Sequence, residues 1–263
     1  MIERREDGMG YRHIRIEEGE RSATLTLARP PSNLLDIDLM EEVNRGLLDL
    51  RDRQDVEVLV IRGSGGVFSE GLDPGDHGKE RIQRMLQVYT RIFETVRMVD
   101  MVSIAAVEGR AWGSGFELAL GCNLIVAADS ASFRLPEIDR GSVAPIATIV
   151  LPRVVPRRRA MEWILTGNEI AVADLKAVGL LNRVYPAARF DEELAGFVGE
   201  LSAKSGPVLQ LAKRAQYEAY YSTYEEALYR VQNLFLRELM ELEDAEEGVR
   251  AHREGREPRW KHK

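Results

Sequence analysis

Two glutamates with apolar neighbours are the side chains in this sequence best suited to moving protons: Glu117 in "AWGSGFELALGCN" and Glu137 in "FRLPEIDRG". An apolar setting disfavours the charged carboxylate and lifts its pKa toward neutrality, where an acid and a base can both work. Two glycine-bearing turns accompany them. "GSGGVFSEGLD" at 63–73 and "EGRAWGSGFE" at 108–117 each follow an apolar, strand-like run. Glycine permits close backbone approach, and a helix N-terminus offers free N–H groups to negative charge. Amides from both turns meeting at one point would form an oxyanion hole. Each feature also has a plainer reading: Glu117 complementing the dipole of its own helix, Glu137 solvated in a loop, the glycines in ordinary turns.

Other chemistries fit less well. Neither glycine turn carries the Gly-Lys-Ser/Thr ending of a phosphate loop or a G-x-G-x-x-G fingerprint. Ser114 lies in "GSG" and lacks the G-x-S-x-G frame of a nucleophile elbow. His77 in "DPGDHGKE" reads as a loop residue, and neither it nor His13, the two histidines outside the C-terminal tail, has the context of a catalytic base.

The elements that must position these residues alternate. "YRHIRIEE" and "SATLTLAR" read as strands joined by a turn at "GER", and "VEVLVIRG" as a third strand. Between the second and third, Leu39, Met40, Val43, Leu47, Leu48 and Leu50 recur at helical spacing. The alternation continues through the helix "RIQRMLQVYTRIFETVRM", the strand "MVSIAAVEG", the helix "GFELALGCN" and the strands "LIVAAD" and "SASFRLPEI". Strand–helix alternation with buried strands predicts an α/β architecture. After Pro186 the chain is helix-forming almost throughout, and Leu228, Val231, Leu234, Leu236 and Leu239 mark an apolar stripe. The expected division is a core over 1–195 and a helical region over 196–263, the latter a second subdomain or an oligomerisation arm.

The chain has 263 residues and a net charge of −7, with 44% hydrophobic and 30% charged residues. Net acidity argues against nucleic acid as a partner, because a polyanion calls for a concentrated basic face. The basic run "RVVPRRR" at 153–159 reads as solvated surface, or as a phosphate or subunit contact. One cysteine, Cys122, excludes an internal disulfide and any multi-cysteine metal site. It reads as a core residue of a protein in a reducing, cytoplasmic compartment. The charged opening "MIERREDG" shows no signal peptide, and no apolar run reaches the roughly 20 residues of a membrane span.

The segments "PPSNLLDIDLMEEV", "VEVLVIRGSGGVFSEGLD", "SIAAVEGRAWGSGFELALGCNLIVAADSASFRLPEIDRG", "AMEWILTGNEIAVADLKAVGLLNRVYP" and "EGVRAHREGREPRW", in this order, resemble the enoyl-CoA hydratase/isomerase (crotonase) superfamily almost end to end. The resemblance implies a spiral of ββα turns and a helical C-terminal region that builds homotrimers, usually paired into hexamers. It implies an acyl-CoA thioester as substrate, with no metal and no cofactor beyond the coenzyme A of the substrate itself. Carried over to this sequence, the backbone N–H groups of Leu72 and Ser114 would hold the thioester oxygen. The chain around Glu70, Leu72 and Asp73 would line the site for the adenine end of coenzyme A. Glu117 would take a proton from the attacking water, and Glu137 would deliver one to the α-carbon.

Three positions depart from the ordinary pattern of that family. Ser114 stands where glycine is usual, and Glu70 where a small residue is usual, so Glu70 reads as a solvent-turned side chain or a third acid near the pocket. After Glu137 the chain reads "RGSVAPIATIVLPRVV" in place of a glycine-rich loop, with Val143, Ala144, Pro145 and Ile146 forming a stiffer, more apolar wall. This loop is similar to that of cyclic dienoyl-CoA hydratases. The expected activity is therefore hydration of an enoyl- or cyclic dienoyl-CoA. Alternatives are a double-bond isomerase or another acyl-CoA reaction on the same fold. From a different class comes a non-enzymatic or RNA-binding relative.

Overall fold

The computed structural model describes residues 10–263 apart from 52 and 54. The charged opening over 1–9 lies outside the described residues. Strands β1 (Ile14–Gly19) and β2 (Ser22–Leu27) form an antiparallel hairpin across Glu20 and Arg21, with Arg21 at φ 54°. Helix α1 (Ile37–Arg51) follows, and its buried face includes Leu39, Met40, Val43, Leu47 and Leu50.

Three turns of one pattern come next. In the first, β3 (Val58–Gly63) and β4 (Val67–Ser69) lead to α2 (Ile82–Met98). In the second, β5 (Val102–Val107) and β6 (Arg110–Trp112) lead to α3 (Ser114–Gly121). In the third, β7 (Leu124–Ala128) and β8 (Ser132–Arg134) lead through a 3-10 turn at Pro136–Arg140 to α4 (Pro145–Val154). The first strand of each turn joins one sheet and the short second strand joins another, so β3, β5 and β7 pair in parallel and so do β4, β6 and β8. That is a ββα spiral, as the resemblance implied.

Helix α5 (Arg157–Thr166), β9 (Glu169–Ile170), α6 (Val172–Ala177) and β10 (Arg183–Tyr185) complete the core. The six-stranded sheet has the order β1-β2-β3-β5-β7-β10, and the four-stranded one β4-β6-β8-β9. The continuous apolar runs of β3, β5 and β7 arise because both faces of the larger sheet are covered. Leu59, Ile61, Ala105, Val107, Ile125 and Ala127 face the main core. Their neighbours Val58, Val60, Ile104, Ala106, Val126 and Ala128 pack instead with Phe190, Leu194 and Phe197.

Those three aromatic and aliphatic side chains belong to α7 (Phe190–Ser202), which runs across residue 195. Helices α8 (Gly206–Tyr220) and α9 (Tyr224–Arg237) pack on each other, and α10 (Glu243–Glu254) closes the fold. The predicted apolar stripe divides: Leu234 is buried, while Leu228 and Leu236 are exposed beside Tyr224 and Tyr229. Among the described residues no helix is long and apolar enough to cross a membrane.

Candidate active site

The turn after β4 is held in place by a neighbouring strip of chain. Glu70 N–H donates to Ser32 O at 3.0 Å, Leu35 N–H to Gly71 O at 2.9 Å, and Asp73 N–H to Leu35 O at 3.1 Å. Asn33 ties the base of that strip to the β3–β4 loop by donating to Ser64 O and Val67 O. On either side of Leu72 these bonds use the Gly71 carbonyl and the Asp73 amide. The N–H of Leu72 itself has no acceptor among the described residues.

The second turn comes up against the first. A Cβ built on Gly71 (φ 100°) would stand 3.3 Å from the Ser114 nitrogen and 3.1 Å from Trp112 O. Only glycine allows the two backbones this close. Ser114 opens α3, so its N–H is one of the first-turn amides without a partner in the helix. The structure thus brings the turn that holds Leu72 up against the Ser114 amide.

Glu137 lies beside Gly113, the residue that precedes Ser114. Its Oε1 lies 2.5 Å from where a Cβ on Gly113 would be, and Gly113 holds φ 54° and ψ −129°. Glu137 is half-buried, and its Oε2 is buried without a hydrogen-bond partner among the described residues. Burial, and then the neighbouring charge of Glu117, push this carboxyl up to about 7. A carboxyl with that pKa exchanges its proton readily at neutral pH.

Glu117 is placed differently. Its side chain is fully buried and both oxygens are engaged. Oε1 accepts from the amides of Ile146 at 2.7 Å and Ala147 at 2.8 Å, the first free N–H groups of α4 after Pro145. Oε2 accepts from the Ser114 hydroxyl at 3.1 Å and from the Tyr89 hydroxyl. The helix that Glu117 caps is therefore α4, not its own α3. Burial pushes its carboxyl up, and the four donors pull it back toward the charged form. A carboxylate offers about four lone-pair sites, and here all are in use. Taking a proton from water requires one donor to give way, and a serine hydroxyl on a single rotatable bond is the freest of them.

We predict that Glu117→Ala, which strands four buried donors, lowers the unfolding free energy by roughly 3–5 kcal/mol. Glu117→Gln, able to accept the two α4 amides through its carbonyl oxygen, retains most of that stability. Denaturant melts of the two variants check this, and equal melts for both would remove the capping role.

Glu70 and Asp73 are not bare acids at the rim. Glu70 is paired with Arg110, which also lies over the Trp112 ring at 5.6 Å. Asp73 accepts from Gly75 N–H at 2.8 Å and meets Arg29 at 3.1 Å, which together hold its carboxyl below the usual range. Tyr89 and the Ile146 and Ala147 amides are not evident as site groups from the sequence. Tyr89 reads as one of the apolar α2 positions, with Met85, Ile92 and Val96. The available signal was its polar tip, because a buried tyrosine hydroxyl needs a partner.

The site thus holds two backbone amides without acceptors among the described residues and, beside Gly113, a half-buried carboxyl. The enoyl-CoA hydratase/isomerase family matches residues 17–263, and the chain belongs to that family. A probable enoyl-CoA hydratase of Mycobacterium tuberculosis is 31% identical over 258 residues, covering 97% of this chain and all of that protein. The human mitochondrial enoyl-CoA hydratase domain-containing protein 3 is 30% identical over 251 residues, covering 90% of this chain and 80% of that one. The crystal structure of an enoyl-CoA hydratase from Bacillus anthracis superposes with a TM-score of 0.91 at 25% identity, covering 96% of this chain and 100% of that one.

Proposed function

We propose that this protein adds water reversibly across the conjugated double bond of an acyl-CoA thioester. The observation that carries the reading is the juxtaposition of the Leu72 and Ser114 amides, without acceptors among the described residues, with the Glu137 carboxyl beside Gly113. Attack of water at the β-carbon moves negative charge onto the thioester oxygen, where the two amides stabilise it. Glu137 then delivers its proton to the α-carbon. Glu117 receives the proton of the water through Oε2, once the Ser114 hydroxyl turns away. The carboxyl pair works with one proton between its members and titrates as a unit.

The adenine end of coenzyme A would lie along the chain around Glu70, Leu72 and Asp73. With both acids paired to arginines, the phosphates meet backbone and guanidinium groups there rather than bare carboxylates. The apolar segment Val143–Ile146 leads into α4, whose first amides rest on Glu117, so the wall is anchored to the reacting centre. That anchored wall suits a flat, cyclic dienoyl group. The exposed Tyr224, Leu228, Tyr229 and Leu236 on α9 support a homotrimer or a dimer of trimers built through the helical region 196–263. The setting we propose is cytoplasmic, with Cys122 as a packed thiol.

A second reading has its own observation. Because every lone pair of Glu117 is used, Glu137 can act alone, moving a proton between the α- and γ-carbons as a double-bond isomerase.

The test follows the ultraviolet absorbance of the conjugated thioester with crotonyl-CoA, cyclohexa-1,5-diene-1-carbonyl-CoA and a 3-enoyl-CoA in parallel. Loss of absorbance with the cyclic diene supports the ring-specific hydratase; loss with crotonyl-CoA supports a general one. A gain of absorbance with the 3-enoyl thioester alone establishes the isomerase, and no change with any of the three overturns both readings. For the hydratase, kcat/KM is expected to fall as pH rises through about 7, where Glu137 gives up the proton that the pair requires. A profile flat from pH 6 to 9 would remove Glu137 from the proton-transfer step.

A further inference from the structure

Tyr89 lies on α2, in the helical row with Met85, Ile92 and Val96 that packs into the core, and it is fully buried. Its ring meets Phe93 edge-on at 5.0 Å, so packing fixes the direction of the hydroxyl. That hydroxyl donates to Glu117 Oε2, the oxygen that also accepts from Ser114. The other oxygen is held by two backbone amides, which cannot turn round to accept. Any proton that Glu117 takes up must therefore go to Oε2. There it displaces or reverses one of two hydroxyl donors.

We infer that Tyr89 is a positioning residue for Glu117: its hydroxyl, delivered from α2, stabilises the ionised carboxylate and leaves Ser114 as the donor that yields to water. The inference rests on the reading of Glu117 and Glu137 as a pair sharing one proton. Three consequences follow from the geometry. The Tyr89 phenol stays protonated throughout the working range, because burial and then the Glu117 charge push it well up. The site's exchangeable proton is consigned to Glu137, whose Oε2 has no competing donor among the described residues. The two donors to Oε2 also differ in kind: the phenol sits on a packed ring, whereas the serine hydroxyl turns about one bond. Arg140 is a further charged neighbour acting on the pair, through Glu137. It remains unchanged in the variants below.

The experiment uses Tyr89→Phe, which keeps the ring and deletes the donor. Infrared difference titration counts protonated buried carboxyls, and Glu117→Gln and Glu137→Gln assign the bands. In the wild type, one carboxyl band is expected to titrate near neutrality and to vanish in Glu137→Gln. In Tyr89→Phe, a second band is expected to persist to higher pH than in the wild type, and to be absent from the Tyr89→Phe/Glu117→Gln double variant. The acid limb of kcat/KM moves up by about one pH unit, the effect of losing one hydrogen bond to a charged group. KM stays within about threefold, because the phenol touches no substrate. A Tyr89→Phe protein that folds and titrates as the wild type does would overturn the inference and leave Tyr89 as core packing.

Site-specific replacement of Tyr89 by 3-fluorotyrosine covers the case in which the phenylalanine variant does not fold. The fluorinated phenol is a stronger donor of nearly the same shape, so the acid limb is expected to move down in pH. An unmoved or raised limb overturns the inference. The infrared arm needs no substrate. A normal Tyr89 effect on the bands with no turnover of any enoyl thioester would therefore count against the proposed reaction and not against the Tyr89–Glu117 coupling.

Discussion

Glu137→Gln is expected to lower kcat by about 10²–10⁴-fold, the range carried by a positioned general acid–base group, while KM for the thioester changes only a few-fold. Glutamine keeps the shape of the side chain over Gly113 but cannot give a proton to the α-carbon. The substitution separates chemistry from binding because the amides of Leu72 and Ser114 are left untouched. Stopped-flow and steady-state absorbance measurements on the conjugated thioester give both constants. A variant within a factor of three of the wild type in kcat would dismiss Glu137 as the proton carrier.

The same variant has a stability signature. The Glu137 carboxyl is raised to about 7 in the folded chain, above its value of 4.5 in the absence of burial. A raised carboxyl contributes stability that is fully present below the unfolded value and lost as pH rises through the folded one. Wild-type stability from this group therefore declines between about pH 4.5 and 7. Glutamine carries no such dependence. The melting temperature of Glu137→Gln relative to the wild type should rise over that interval and level off above it. If the difference is constant with pH, Glu137 is not buried as described.

The long strands were legible in the sequence because each is covered on both faces and so reads as an unbroken apolar run. "VLVI" in β3, "SIAAV" in β5 and "LIVAA" in β7 are of this kind. Strands β4, β6 and β9 have three, three and two residues, too few to display a period of two. The second sheet was for that reason visible only where β8 lay within a longer apolar stretch. The site divides along similar lines. Glu117 and Glu137 stand out because charge among apolar residues is unusual, and the glycines stand out because turns need them. The partners of Glu117 are hidden for a different reason. Of the four, two are backbone amides some thirty residues further on, which carry no side-chain signature, and another is a tyrosine that reads as core. Whether a glutamate caps a helix or exchanges protons depends on what surrounds its two oxygens, and that is a property of tertiary structure.

Gly113 is where backbone conformation and chemistry meet, and Gly113→Ala is expected to reduce kcat by about 10²–10³-fold, the loss seen when one oxyanion-hole donor is removed. At φ 54° and ψ −129° the backbone occupies a region that residues with a Cβ avoid. The added methyl would also stand 2.5 Å from Glu137 Oε1. Two adjustments are open: the peptide rotates and turns the Ser114 N–H, or the Glu137 side chain leaves its place beside Gly113. In the proposed mechanism, either one separates the proton carrier from the oxyanion donors. The strain itself costs of order 1–3 kcal/mol, which a thermal melt can register without loss of the fold. Ser114→Ala is the informative contrast. It keeps the backbone donor and deletes only the hydroxyl on Glu117, so its kcat should remain within about tenfold of the wild type. If Gly113→Ala is folded and turns over as fast as Ser114→Ala, the Ser114 amide is not the group that stabilises the developing charge. A much slower Gly113→Ala, with the thioester still bound, locates that charge at the junction of the two glycine turns.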